Sequence, residues 1–158
     1  MDKVMLVYVD TSVFGGVFDP QFEGVSKTFF HQVREGRFEV AVSPLVVDEL
    51  ERAPGVVSQF FKELEPFVVR MRIDEAAYEL QQAYLAAHVV GARWEVDALH
   101  VAVATVSGCR AIVSWNFKHI VNFRRIPLYN GVNQMKGYGP IAIHSPQEVI
   151  FDDDDEEL

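Results

Sequence analysis

Four oxygen-bearing side chains, far apart in the chain, carry the chemical signal. Asp10 closes a run of apolar, β-favouring residues and is followed by Thr11, Ser12 and a glycine pair, VYVDTSVFGG (7–16). Glu49 lies on the segment PLVVDELER (44–52), where Val46, Val47, Leu50 and Ala53 form one helical face and Glu49 is the acid nearest to it. Asp97 stands near the start of RWEVDALHVAVATVSG (93–108), which is apolar nearly all round. Asn116 follows the apolar run AIVSW (111–115). A buried carboxylate is costly unless it is paired, hydrogen-bonded or bound to a metal. The 0.3–1 kcal/mol or so that a helix N-terminus offers an acid is small beside that cost. Carboxylate and amide oxygens with no cluster of Cys or His suit Mg2+ or Mn2+ rather than Zn2+. Gathered without a cation, the carboxylates would repel one another. Each residue also has a local role open to it. Asp10 could form a turn, Glu49 a solvated flank, Asp97 a first-turn acid and Asn116 a cap. What points to one site is their placement.

That placement depends on the elements. MLVYV (5–9) reads as a buried parallel strand, and FEVAV (38–42), FVVRMRI (67–73), AIVSW (111–115) and GPIAI (139–143) as further strands. Between them the pattern predicts helices over 22–35, 44–52, 56–65, 75–90 and 93–108. A helical turn over 117–122 and a short capped helix in SPQEVI (145–150) complete the expectation. Ser43-Pro44 and Asp74 read as starts, and Gly36, Gly91 and Gly108 as stops. Tyr129, Asn130 and the GYGP stretch (137–140) read as turn chemistry. Strands separated by helices imply an α/β fold: a three-layer α/β/α sandwich with a mainly parallel central sheet. The crevice of such a sheet lies beyond the C-terminal ends of its strands, where Asp10 and Asn116 fall.

A chain of 158 residues is expected to form a single domain, 1–150, followed by an acidic tail, 151–158. Its 49% hydrophobic content and mean hydropathy of +0.07 fit a packed core. The single cysteine, Cys109, excludes an internal disulfide and fits a reducing, cytoplasmic setting. No stretch reads as a signal peptide or a membrane span. Net charge is −9, but six of the acids stand in the last eight residues, FDDDDEEL. A like-charge run of this kind reads as a disordered, solvated tail; the sharper alternative is a polyanion mimic that folds over a basic cleft.

VYVDTSVFGG, SPLVVDELER and EVDALHVAVATVSGCRAIVSWNFKHI together resemble the PIN-domain ribonucleases, a family that includes the VapC-type toxins of toxin–antitoxin pairs. The likeness runs in order over about residues 4–150. It implies an acidic cluster that binds Mg2+ or Mn2+ and hydrolyses RNA phosphodiesters, leaving 5′-phosphate and 3′-hydroxyl ends. The family's acids fall on Asp10, Glu49 and Asp97, and its nearby hydroxyl residue on Thr11 or Ser12. The fourth position, often Asp, is Asn116, which removes one negative charge. A metal on Asp10, Asp97 and Glu49 would neutralise a phosphate oxygen and acidify a bound water, with Glu49 orienting that water or taking its proton. The resemblance also implies an antitoxin partner, and helices 56–65 and 75–90 offer apolar surface for a homodimer.

Phosphate grip must come from cations. NFKHIVNFRR (116–125) holds Lys118, Arg124, Arg125 and His119 without an acid, and is the expected contact segment. Its aromatics Trp115, Phe117 and Phe123 could stack on unpaired bases, though core packing is the favoured reading. His100, one turn after Asp97, could act as a catalytic imidazole; the favoured reading is a structural histidine bonded to a neighbouring carboxylate or to backbone, since metal-assisted hydrolysis needs no His base. Two other functions compete with catalysis on RNA. One is a non-catalytic PIN module that binds RNA or protein. The other is a phosphatase with Asp10 as nucleophile, which usually carries a second Asp two residues on; position 12 is Ser.

Overall fold

The computed structural model describes residues 4–152. The expected acidic tail therefore lies outside the described residues from position 153 onward. Five strands form one sheet: β1 (Met5–Val9), β2 (Phe38–Val42), β3 (Val68–Arg70), β4 (Ala111–Val113) and β5 (Ala142–His144). Their order is β3-β2-β1-β4-β5 and every neighbouring pair is parallel. Val7, Tyr8 and Val9 in the central strand are at most 1% exposed, so both faces of the sheet are covered. A strand buried on both sides reads as a continuous apolar run, as MLVYV does.

The covering layers are helical. In one, α1 (Thr11–Gly16), α2 (Glu23–Arg34), α3 (Pro44–Glu51), α4 (Gly55–Leu64) and α8 (Pro146–Val149) pack among themselves. In the other, α5 (Glu75–Ala86) packs against α6 (Glu95–Val106) and α7 (Ile126–Met135). The result is the three-layer α/β/α arrangement.

β1 and β2 have the limits that the apolar runs set. β3 is shorter than the expected 67–73, because Pro66 sits in a 3-10 turn (Glu65–Phe67) and pairing on this edge strand covers only three residues. α5 stops before the predicted 90. His88 adopts φ 58° there, and Val89 N–H donates back to the Tyr84 carbonyl. That is a Schellman-type close with His in the place usually held by Gly.

Two helices were not expected. α1 is short and starts on Asp10, whose carboxylate accepts from Ser12 N–H as an N-cap. α7 contains Tyr129 and Asn130, correcting their reading as turn residues. Its polar residues hid the pattern: Asn133 is fully buried, accepts from the Tyr84 hydroxyl and donates to Asn130 Oδ1.

Gly16 is required by a close approach. A Cβ there would meet Ser26 Oγ at 2.6 Å and Trp115 Nε1 at 2.9 Å, breaking the Trp115–Ser26 hydrogen bond that joins β4's end to α2. Nothing lies within 4 Å of the corresponding position at Gly15. Gly16→Ala is expected to cost about 1–3 kcal/mol of stability. Gly15→Ala should be neutral or stabilise by up to about 1 kcal/mol. Denaturant unfolding of the two variants checks the contrast.

Candidate active site

The strand order carries one reversal. The chain builds outward from β1 through β2 to β3, then returns to lay β4 on the other side of β1. Crossovers on the two sides of such a point leave a crevice at the C-terminal ends of the two strands. Asp10 ends β1 there, and its N–H donates to the Val113 carbonyl of β4 at 3.4 Å.

Asp10 is 4% exposed. Its Oδ1 accepts from the Ser12 hydroxyl at 2.6 Å and from Ser12 N–H at 3.2 Å, and its Oδ2 accepts from the Ser114 hydroxyl at 2.6 Å. These hydroxyls are themselves held. Ser12 Oγ accepts from Trp115 N–H, and Ser114 Oγ accepts from Asn116 N–H, each at 2.9 Å. Ser114 lacked a sequence signal of its own. Its position, two residues before Asn116 at a strand end, is the only hint.

From Asn116 the contacts continue around the crevice. Asn116 Oδ1 accepts from His119 N–H at 3.0 Å, and His119 Nδ1 lies 3.1 Å from Asp97 Oδ2. One turn further along α6, His100 Nε2 lies 3.7 Å from Glu49 Oε1. His100 Nδ1 is bonded to the Tyr8 hydroxyl at 2.7 Å, and that hydroxyl to Ser43 Oγ, at the N-cap of α3, at 2.8 Å. Glu49 and Asp10 are close enough to repel each other electrostatically. Asp10, Asn116 and Asp97 thus lie on one run of contacts through Ser114 and His119, while Glu49 belongs to a second run, with His100, Tyr8 and Ser43. Among the described residues, no three His, Cys, Asp or Glu side chains form a group that could hold an ion as they stand. Glu49 and Asp97 are each turned toward a histidine.

Burial pushes the Asp10 carboxyl above the usual carboxylate range, against the pull of His100 and of the Ser114 and Ser12 hydrogen bonds. Glu49 is shifted the other way: His100 beside it holds its carboxyl below the usual range, with a smaller contribution from Thr11. The Thr11 hydroxyl oxygen is buried and makes no hydrogen bond of good geometry. His119 is held below the usual imidazole range by burial, and by Arg125 and Lys118, against the pull of Asp97.

The predicted phosphate contacts Lys118, Arg124 and Arg125 follow Asn116 on the connection from β4 to α7. Lys118 and Arg124 are exposed, Arg125 is half-buried, and Lys118 Nζ stands 5.4 Å from the Trp94 ring centroid. The Trp94 ring stacks on His119 at 4.1 Å. Packing holds for Trp115, which is buried and stacked on Phe22 at 4.3 Å. Phe117 and Phe123 differ: they are 49% and 92% exposed, a correction to their reading as core aromatics.

Because burial raises the Asp10 carboxyl above its usual range, its contribution to stability is present below the ordinary carboxylate range and lost as pH rises through its raised pKa. In metal-free buffer, Asp10→Asn should therefore gain on the wild type from pH 4 to pH 7. Melting temperatures of the two proteins across that range check the sign.

No family model and no curated protein sequence matches the chain. Solved structures do. A VapC toxin of Mycobacterium tuberculosis, described as cleaving the sarcin–ricin loop, superposes with a TM-score of 0.56 at 19% identity, over 72% of this chain and 92% of that one. VapBC2 of Rickettsia felis, solved on a promoter DNA fragment, gives 0.55 at 13% identity, over 78% and 94%. FitAcB of Neisseria gonorrhoeae gives 0.55 at 14%, over 90% and 99%. With the reversal between β1 and β4 and the acidic crevice at its mouth, these likenesses give the architecture its name: the chain has the PIN fold, in its VapC-type form.

Proposed function

We propose that this protein is a metal-dependent ribonuclease and the toxin of a toxin–antitoxin pair. The observation that carries the reading is the buried Asp10 carboxylate at the β1–β4 reversal, joined through Ser114, Asn116 and His119 to Asp97, with Glu49 on His100 one turn along α6 from Asp97.

The donor set fits a hard divalent cation: three carboxylates, one amide oxygen and, beside Glu49, the buried hydroxyl of Thr11. Asp10, Asp97 and Glu49 would hold Mg2+ or Mn2+, with Asn116 as an uncharged neighbour. When bound, such an ion supplies charge neutralisation at a phosphate oxygen and an acidified water. Ser12 and Ser114 hold the Asp10 carboxylate in one orientation. Glu49, half-exposed and kept ionised by His100, is the acid able to accept a proton from an attacking water. Lys118, Arg124 and Arg125 attract the polyanion, and none of them pairs with a carboxylate among the described residues.

The toxin assignment draws support from structural neighbours described as toxin–antitoxin complexes, among them one from Klebsiella pneumoniae. An antitoxin segment would block the acidic crevice. A homodimer would use the exposed parts of α4 and α5, where Val56 is 59% and Tyr78 49% exposed. No helix among the described residues is long and apolar enough to cross a membrane.

RNA cleavage with Mn2+ present tests the catalytic claim. The wild type should cut, leaving 5′-phosphate ends, and chelation should stop it. Asp10→Asn and Asp97→Asn should each lose at least about 100-fold in rate with circular dichroism unchanged, as for removal of a charge-stabilising group. A wild type that binds RNA and never cuts it would identify a non-catalytic binding module instead.

A further inference from the structure

The charge of this chain is unevenly spread. From Ala98 to Gln147 it carries five cations, Arg110, Lys118, Arg124, Arg125 and Lys136, and no acid, in a protein of net charge −9. Lys118, Arg124 and Arg125 stand on the connection from β4 to α7, directly after Asn116.

That connection is firmly built. Ile120 is fully buried, and the His119 carbonyl accepts from the Tyr129 hydroxyl at 2.9 Å. Asn122 ties its two ends: Nδ2 donates to the Phe117 carbonyl at 3.1 Å, and Oδ1 accepts from Arg124 N–H at 3.1 Å and Arg125 N–H at 3.3 Å. On this anchored frame Phe117 is 49% exposed and Phe123, at 92%, is the most exposed large apolar residue described. A phenyl ring held in water by an ordered turn leaves its hydrophobic gain unrealised until something covers it. The cations interleaved with the two rings select a polyanion that also presents flat apolar faces. Unpaired nucleic acid has both features, whereas the bases of a duplex are stacked away.

We infer that Phe117 and Phe123 are stacking platforms for the unpaired bases of a bound RNA strand, with Lys118 and Arg124 on the adjoining backbone. The inference rests on the ribonuclease reading for its substrate, but its test needs no cleavage. A labelled 12-nucleotide single-stranded RNA of mixed sequence, and the same RNA annealed to its complement, are titrated by fluorescence anisotropy in chelator-containing buffer. Phe117→Ala and Phe123→Ala should each weaken single-strand binding by roughly 5- to 150-fold, the range for loss of one base–aromatic stack, and leave duplex binding unchanged. Phe123→Trp should restore single-strand affinity and Phe123→Leu should not, since only a ring can stack.

Wild-type affinity in both alanine variants would overturn the inference. So would equal losses on single strand and duplex, or rescue by leucine. Ring-dependent binding in a protein that never cuts RNA would leave this inference standing and remove the ribonuclease reading.

Discussion

A carboxylate sealed from water at the point where strand order reverses sets the terms for the rest of this molecule. Asp10 must end a strand that is buried on both faces, because β1 is the centre of the sheet. Once there, it cannot be solvated, so protein groups replace the water: a hydroxyl and an amide from Ser12, and a hydroxyl from Ser114. Those donors dictate local structure. Ser12 N–H on Asp10 opens α1, and Ser114 must leave β4 at the matching height, which the parallel Val9–Val113 pairing provides. Even so, the burial cost outweighs the donors and the carboxyl stays above its usual range. The unrelieved part of that cost is what a cation would remove.

Two histidines shape the remaining acids. His100 lies between Glu49 and the buried Tyr8 hydroxyl, and His119 lies against Asp97 with its other contact a stacked Trp94. Each imidazole is buried and each carboxylate is more open to solvent, so the histidines hold the acids from behind. Among the described residues the three acids share no hydrogen bond with one another. Opposite charge stands on the acid-free connection that follows Asn116.

The central strands and the parallel order were readable because burial on both faces leaves an unbroken apolar run, and Asp10 drew notice because an acid stands out at the end of such a run. What could not be read depends on partners distant in the chain. α1 is too short for periodicity to register, and it exists because Asp10 caps it. α7 buries Asn133 against Tyr84, a pairing across 49 positions that no local pattern carries. Ser114 looks like any strand-end serine until its partner, 104 residues away, is in place. Phe117 and Phe123 read as core by their chemistry alone, and only the turn built on Asn122 turns them outward.

The proposal that Asp10, Glu49 and Asp97 share one hard cation is tested most directly by anomalous diffraction from crystals soaked in Mn2+. A single manganese peak in contact with the Asp10 and Asp97 carboxylates, with Glu49 or Asn116 in its surroundings, is the predicted result. An empty crevice at saturating Mn2+, or a peak that touches none of the three acids, would contradict it.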